Sequence, residues 1–245
     1  MSDPLPTCFA PAERKGIAQI AREHQHILAI PHLQELLNAF PTPAVILNEC
    51  RQIVAANQRL CRLLNRREDE LLGMRPGEAF NCIHWRDGDC GGGTSRFCET
   101  CGAIRAILRS QRQSYEDTQE CTIIRGTDEG EKALDLRVTA SCFDLEGTLT
   151  LLSLEDIGDE KRRALLEKIF YHEVRNTAAG VRGLLEILPE LSDQCRRETA
   201  HLAYQLAEYL MEEIEGGKDL ATAEPGELAL QPTALDVRAV LKSVC

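Results

Sequence analysis

Two groups of residues in this sequence have the types and spacing needed for chemistry. The first is His172-Glu173-Val174-Arg175-Asn176-Thr177, a histidine beside a carboxylate with an amide four residues on. A neighbouring carboxylate that accepts the ring proton leaves an imidazole nitrogen free as a nucleophile. The second group is Cys82, Cys90, Cys98 and Cys101. It closes on Cys98-Glu99-Thr100-Cys101, a C-x2-C knuckle, and Gly91-Gly92-Gly93 lets the connector wrap around a bound group. Four thiolates ligate zinc tetrahedrally, and they also hold iron–sulfur clusters. A helix opening at Gly102 favours the thiolate form at its N-terminus. A thiol–disulfide switch and separate burial of the four side chains are the competing readings. His84 reads as a neighbouring or surface group rather than a ligand.

Each group needs an element to position it. On a helix turning 100° per residue, Leu166, Phe170, Val174, Thr177, Val181, Leu184 and Leu188 share one stripe, and His172 lies about 160° from its centre. The spacing predicts a helix from Asp159 to about Leu188, broken by Pro189. A second helix is expected from an N-cap at Ser192 to a stop at Gly216-Gly217, with Cys195, Thr199, Leu202, Leu206 and Tyr209 as its seam. Two helices around a short corner form an antiparallel hairpin, and two such hairpins bury all four seams in a four-helix bundle. A homodimer with the histidines facing outward is the expectation.

Upstream, residues 1–10 read as a loose arm. A helix from Pro11 carries Ile17, Ile20, Ala21, Ile27 and Leu28 until Pro31, so residues 1–32 form a helical lead-in. His24, His26 and His32 read as surface or packing residues. A short helix at 33–40 precedes strands at 44–47 and 53–56. Asn57 caps a helix with Leu60, Leu63 and Leu64, and Gly73 stops the next turn. A helix at 101–111 leads to strands at 120–125, 133–143 and 148–154, turning at 126–130 and at Glu146-Gly147. The fold class is α+β. Cys61, Cys121 and Cys142 fall on apolar or strand positions, so burial is their default.

The net charge of −11, from 28 basic and 39 acidic residues, argues against nucleic acid or an anionic membrane as partner. No apolar run is long enough for a membrane span, and the N-terminus lacks a signal-peptide layout. The expected location is cytoplasmic, where eleven cysteines do not make a disulfide framework.

The layout of 33–157, closing on Leu154-Glu155-Asp156-Ile157, resembles a PAS domain with the cysteine loop 82–101 inserted. Residues 158–218 resemble the dimerisation and histidine-phosphotransfer domain of sensor histidine kinases, whose H-box His172 to Thr177 fits. Thr177 stands where proline is common, which removes the usual kink. The resemblance implies that His172 accepts the ATP γ-phosphoryl group, that Glu173 serves as base, and that Asn176 positions the nucleotide or partner. It further implies a response-regulator receiver domain as the next acceptor. ATP would bind a separate domain, toward which 219–245 is a linker; Leu235 to Val244 resembles that domain's first segment, and the chain reads as a truncated kinase. A cysteine loop inside a sensory domain calls for a group that changes state. Zinc has no redox chemistry, so an iron–sulfur cluster ranks ahead of it, as in the cysteine-rich PAS sensors that the loop resembles. The function expected is a redox- or oxygen-responsive sensor histidine kinase. The alternative is a non-catalytic PAS-containing phosphorelay or scaffold dimer with structural zinc.

Overall fold

The computed structural model describes residues 7–87, 90–127, 130–145 and 147–223, with side chains to 217. The Leu235–Val244 segment, most of the linker and Glu146 of the expected turn lie outside the described residues.

The strands β1 (Ala44–Leu47) and β2 (Ile53–Ala56) are apolar and buried at every position. A strand with one wet face alternates apolar and polar, so a continuous run demands cover on both faces. Both covers are present. Val45, Leu47, Ile53 and Ala56 face the main core. Ala44, Ile46, Val54 and Ala55 face a second one, with Ile20 and Ile27 of α1 (Ile17–Ala29) and Leu37 of α2 (Leu33–Ala39). The lead-in is thus packed into the same unit as the sheet, which spans residues up to Lys161. Each such fully buried aliphatic side chain contributes about 1.5–3 kcal/mol.

The remaining strands are β3 (Asp117–Thr127), β4 (Gly130–Asp144) and β5 (Thr148–Asp156). They join the first two in one antiparallel sheet of order β2-β1-β5-β4-β3. The register pairs Val45 and Ala140 with Leu152, and Cys121 with Leu136. Between β2 and β3 lie α3 (Gln58–Leu64), α4 (Glu68–Leu71), α5 (Pro76–Ala79) and α6 (Gly102–Gln113). Asn57 caps α3 as expected, its Oδ1 accepting from the Leu60 amide at 2.9 Å. The main-core face of β3–β5 is covered by Ala103, Ala106 and Ile107 of α6.

The helix from Pro11 is corrected: α1 begins at Ile17. The preceding segment runs instead as a strap along the cysteine loop, with the Cys8 amide donating to Thr94 O (3.0 Å) and Ala10 to Gly93 O (3.2 Å). The carbonyls of Pro11, Ala12 and Glu13, which a helix would pair with amides four residues on, accept from Arg75 instead.

At the sheet's exit, the Ile157 amide donates to Asp135 O (3.0 Å), and α7 (Gly158–Ile187) starts at the next residue. The second unit, from Arg162, contains the rest of α7, a 3-10 turn at Leu188–Glu190 and α8 (Asp193–Ala223). The α7 seam is half-buried at Phe170, Val174, Thr177, Val181, Leu184 and Leu188, as its period predicts, while Leu166 is exposed. Within one chain the covered side of α8 is Thr199, Ala203, Leu206, Leu210 and Glu213, and the other expected seam residues Cys195, Leu202 and Tyr209 are exposed. One expectation for α8 is corrected. Gly216-Gly217 does not stop the helix, because neither residue takes the positive φ that a glycine stop uses. The missing Cβ at Gly217 instead makes room for the Phe170 ring, whose Cδ2 would lie 2.8 Å from that carbon.

Candidate functional site

The cysteine loop lies over the open side of the main core. Three of its thiols, Cys82, Cys98 and Cys101, line one cavity of about 70 Å³ that reaches Ile107 and Leu152 at the sheet. The fourth is placed differently: Cys90 is buried but does not line that cavity, and its carbonyl accepts from Arg75 Nη1 at 3.0 Å. Glycines at φ +77° (Gly91) and +89° (Gly93) turn the chain on either side of Gly92. His84 also lines the cavity, stacked on Phe97 at 4.1 Å, with Nδ1 2.7 Å from the Asp87 carboxylate.

Cys101 is the N-cap of α6, and the fifth thiol that bears on it is Cys121 of β3. The two residues flank a close backbone approach. A Cβ on Gly102 would run into the Glu120 carbonyl oxygen and lie 2.8 Å from its carbon, so only glycine fits there. The Cys121 hydrogen bond comes first among the effects that lower the Cys101 pKa to about 6, against the opposing cost of burial; the Ile104 and Ala103 amides at the helix start add to it. The same bond, then burial, pushes Cys121 up, so the pair's shared proton stays on Cys121. Burial raises the Cys82 thiol.

The opposite wall is cationic. Arg75, 1% exposed, donates to six backbone carbonyls: Cys50, Cys90 and Gly92 of two loops, and Pro11, Ala12 and Glu13 of the strap, at 2.8–3.4 Å. Burial, then the like charges of Arg51 and Arg14, lower its pKa to about 10, which leaves it protonated at neutral pH. Arg51, 3% exposed, gives a hydrogen bond to Pro11 O, but its Nε is buried with no partner, and both arginines line the cavity. An orphaned cationic donor beside three thiols is an environment for an anionic group such as a thiolate-ligated centre. Among the described residues, no group of three or more His, Cys, Asp or Glu side chains is already arranged around a metal position. Three of the four expected thiols thus share the cavity and Cys90 stands outside its lining, so the four are not gathered as a ligand set.

On α7, His172 is exposed, on the face away from the half-buried seam. The amide nitrogen of Asn176 lies 3.1 Å from its Nδ1. Glu173, also exposed, is the next residue; side chains one step apart on a helix diverge by 100°, so the residue one turn on is the one that reaches the ring. Thr177, where proline would have removed an amide, keeps the helix unbroken and donates to Glu213 of α8 at 3.2 Å. Glu213 first, and Glu173 among the weaker effects, raises the Tyr209 phenol.

Sequence reasoning missed Arg51, Arg75 and the pairing of Cys121. Arginines beside loop residues carry no spacing signal. Cys121 had one, an inward position on β3, and burial was read from it without the partner.

The five-stranded antiparallel sheet with its helices fits a PAS-like α+β fold. No protein-family model and no curated protein matches the sequence. Among solved structures, the chain is similar to the PAS domain of nitrogen regulation protein NR(II) from Vibrio parahaemolyticus, at 18% identity and TM-score 0.38, covering 53% of this chain and 99% of that one. It is also similar to the PAS domain of an HTR-like protein from Haloarcula marismortui (21% identity, TM-score 0.35, 51% and 95% covered). A third is a PAS domain from a two-component sensor histidine kinase (14% identity, TM-score 0.35, 53% and 96% covered). Among the described residues, no helix is long and apolar enough to cross a membrane.

Proposed function

We propose that this chain is the sensor and phosphoacceptor part of a cytoplasmic, redox- or oxygen-responsive histidine kinase that works as a homodimer. The observation that carries the reading is the exposure of His172 opposite a half-buried seam, with Asn176 against its ring. Exposed apolar residues beside that seam, Leu166, Ile169, Leu202 and Tyr209, favour a second copy as cover.

Asn176 orients the imidazole. Its amide nitrogen, 3.1 Å from Nδ1, donates to that atom and leaves the ring proton on Nε2, so a base must take that proton for Nε2 to act as the nucleophile. Nε2 attacks the γ-phosphorus of ATP delivered by a kinase domain, the bond to the bridging oxygen breaks, and ADP leaves. Glu173 takes the ring proton. A receiver-domain carboxylate then attacks the same phosphorus, and His172 is regenerated. In the sensor, Cys82, Cys98 and Cys101, with Cys90, would hold an iron–sulfur group, and Arg51 and Arg75 would balance its negative charge. When bound, that group supplies one-electron redox chemistry.

Two measurements test this. In the parent kinase, His172→Gln abolishes phosphate incorporation from ATP; retained incorporation refutes the acceptor assignment. Anaerobically purified protein is brown and contains iron and sulfide. Colourless protein containing zinc would establish the alternative of a structural zinc site.

A further inference from the structure

We infer that the strap, residues 7–13, competes with the four-thiol group for one stretch of backbone, residues 90–94, so that loading the thiols releases the strap. This rests on the reading that Cys82, Cys90, Cys98 and Cys101 take up one group. Three of those thiols line the cavity, and no atom of Cys90 does. A group held by four thiolates needs every donor sulfur on it, about 2.3 Å from the ion where that ion is zinc. A cysteine sulfur sits one bond beyond Cβ, so Cys90 reaches a cavity it does not line only if its backbone moves.

That backbone is bonded to the strap. The carbonyls of Cys90 (3.0 Å) and Gly92 (3.2 Å) accept from Arg75 Nη1. The other arm of the same guanidinium, Nη2, holds the strap carbonyls of Ala12 (3.1 Å) and Glu13 (2.8 Å). Farther along, the Gly93 and Thr94 carbonyls accept directly from the strap amides of Ala10 (3.2 Å) and Cys8 (3.0 Å). Ala10 is buried with Ile104 and Leu108 of α6, and Phe9 packs against them. Drawing Cys90 toward the other thiols pulls on all of these bonds. Gly91 and Gly93, both at positive φ, give the segment the freedom to move once they break.

Two conformations therefore compete. In one, the strap is paired with the loop and Cys90 lies outside the cavity lining. In the other, the four sulfurs converge and the strap amides turn to solvent. A ligand shifts such a balance toward the conformation it binds, and the coupling is reciprocal: whatever weakens the strap tightens the thiols' hold by the same factor. Removing one strap hydrogen bond should tighten it about two- to tenfold.

The test uses the full chain, reduced and free of oxygen, with zinc alone as the probe. On zinc addition, hydrogen exchange at the Cys8 and Ala10 amides is expected to speed up about tenfold or more. Ala10→Pro removes the amide on Gly93 and is expected to bind zinc about two- to tenfold more tightly. Cys8→Pro, at an exposed position, does the same at Thr94 and is the second variant should the first fail to fold. Circular dichroism checks the fold of each. Structural damage alone weakens zinc binding, so equal or weaker binding by a folded variant overturns the proposal. Cys90→Ser reports separately on the four-thiol reading, and is expected to lose about tenfold or more in zinc affinity. If it does while strap exchange in the unaltered chain ignores zinc, the competition is refuted and the four-thiol reading stands. If its affinity is unchanged, or zinc does not bind the unaltered chain, the four-thiol reading falls and the competition falls with it.

Discussion

Replacing Arg75 by methionine keeps the apolar stem of the side chain but removes its donors. Six backbone carbonyls then lose this donor, of which Pro11 O alone keeps another, from Arg51. They are not equal. Those of Cys90 and Gly92 accept bonds that are buried, whereas the bonds to Pro11, Ala12 and Glu13 are only part-buried, so water can replace the guanidinium there. A buried acceptor left unsatisfied costs about 1–3 kcal/mol, so the two buried ones cost about 2–6 together. Removing a buried cation with no carboxylate in contact returns part of its desolvation cost, which leaves a net loss on the order of 2–4 kcal/mol. For a unit of this size each kcal/mol moves Tm by about 2–4 °C, so Arg75→Met should melt roughly 5–15 °C below wild type. Trp85, the single tryptophan, lies in this unit, and its fluorescence follows the transition. Hydrogen exchange at the Cys8 and Ala10 amides should accelerate as the strap detaches. Arg75→Lys should recover less than half of the loss, because an ammonium has three donors and no planar fork. A melting temperature for Arg75→Met within about 1 °C of wild type would refute the reasoning, since that shift corresponds to less than 1 kcal/mol.

Two further perturbations separate close alternatives. Gly216 has nothing within 4 Å of an added Cβ, so Gly216→Ala should raise helix stability by up to about 1 kcal/mol, whereas Gly217→Ala meets the Phe170 ring and should lose that gain or reverse it. Thermal melts followed by circular dichroism at 222 nm compare them, and equal gains would remove Phe170 from the account. In reduced, metal-free protein, Cys101 is a thiolate above its pKa of about 6, so its iodoacetamide alkylation should climb through pH 6 and level off by about pH 7, while Cys82, raised by burial, stays slow to pH 9. Mass-resolved peptide yields against pH check this; a Cys101 profile that rises only near pH 9 would contradict the Cys121 pairing.

Much of the fold is legible in local pattern. The runs at 44–47 and 53–56, the cap at Asn57, the three later strands and the α7 seam all follow from short-range apolar spacing and one polar cap. Other features were not legible because they depend on residues far apart in the chain. Ala203 is buried and Leu202 exposed within one chain, which a wheel of one helix cannot register. Gly217 was read as a stop, a local role, when its missing Cβ serves the ring of Phe170.

The site divides the same way. His172 on an outward helix face, with Asn176 one turn on, is fixed by helical geometry alone, since a 3.6-residue period relates neighbours whatever packs around them. The cysteine loop announces four thiols by spacing, but spacing measures distance along a flexible chain. Only the tertiary structure brings Cys82, Cys98 and Cys101 to one cavity, sets Cys90 beside Arg75, orphans Arg51 Nε, and delivers Cys121 from β3 to Cys101. Each is an approach between segments distant in the chain, as where α6 rests on Glu120 at Gly102, and no periodicity encodes it.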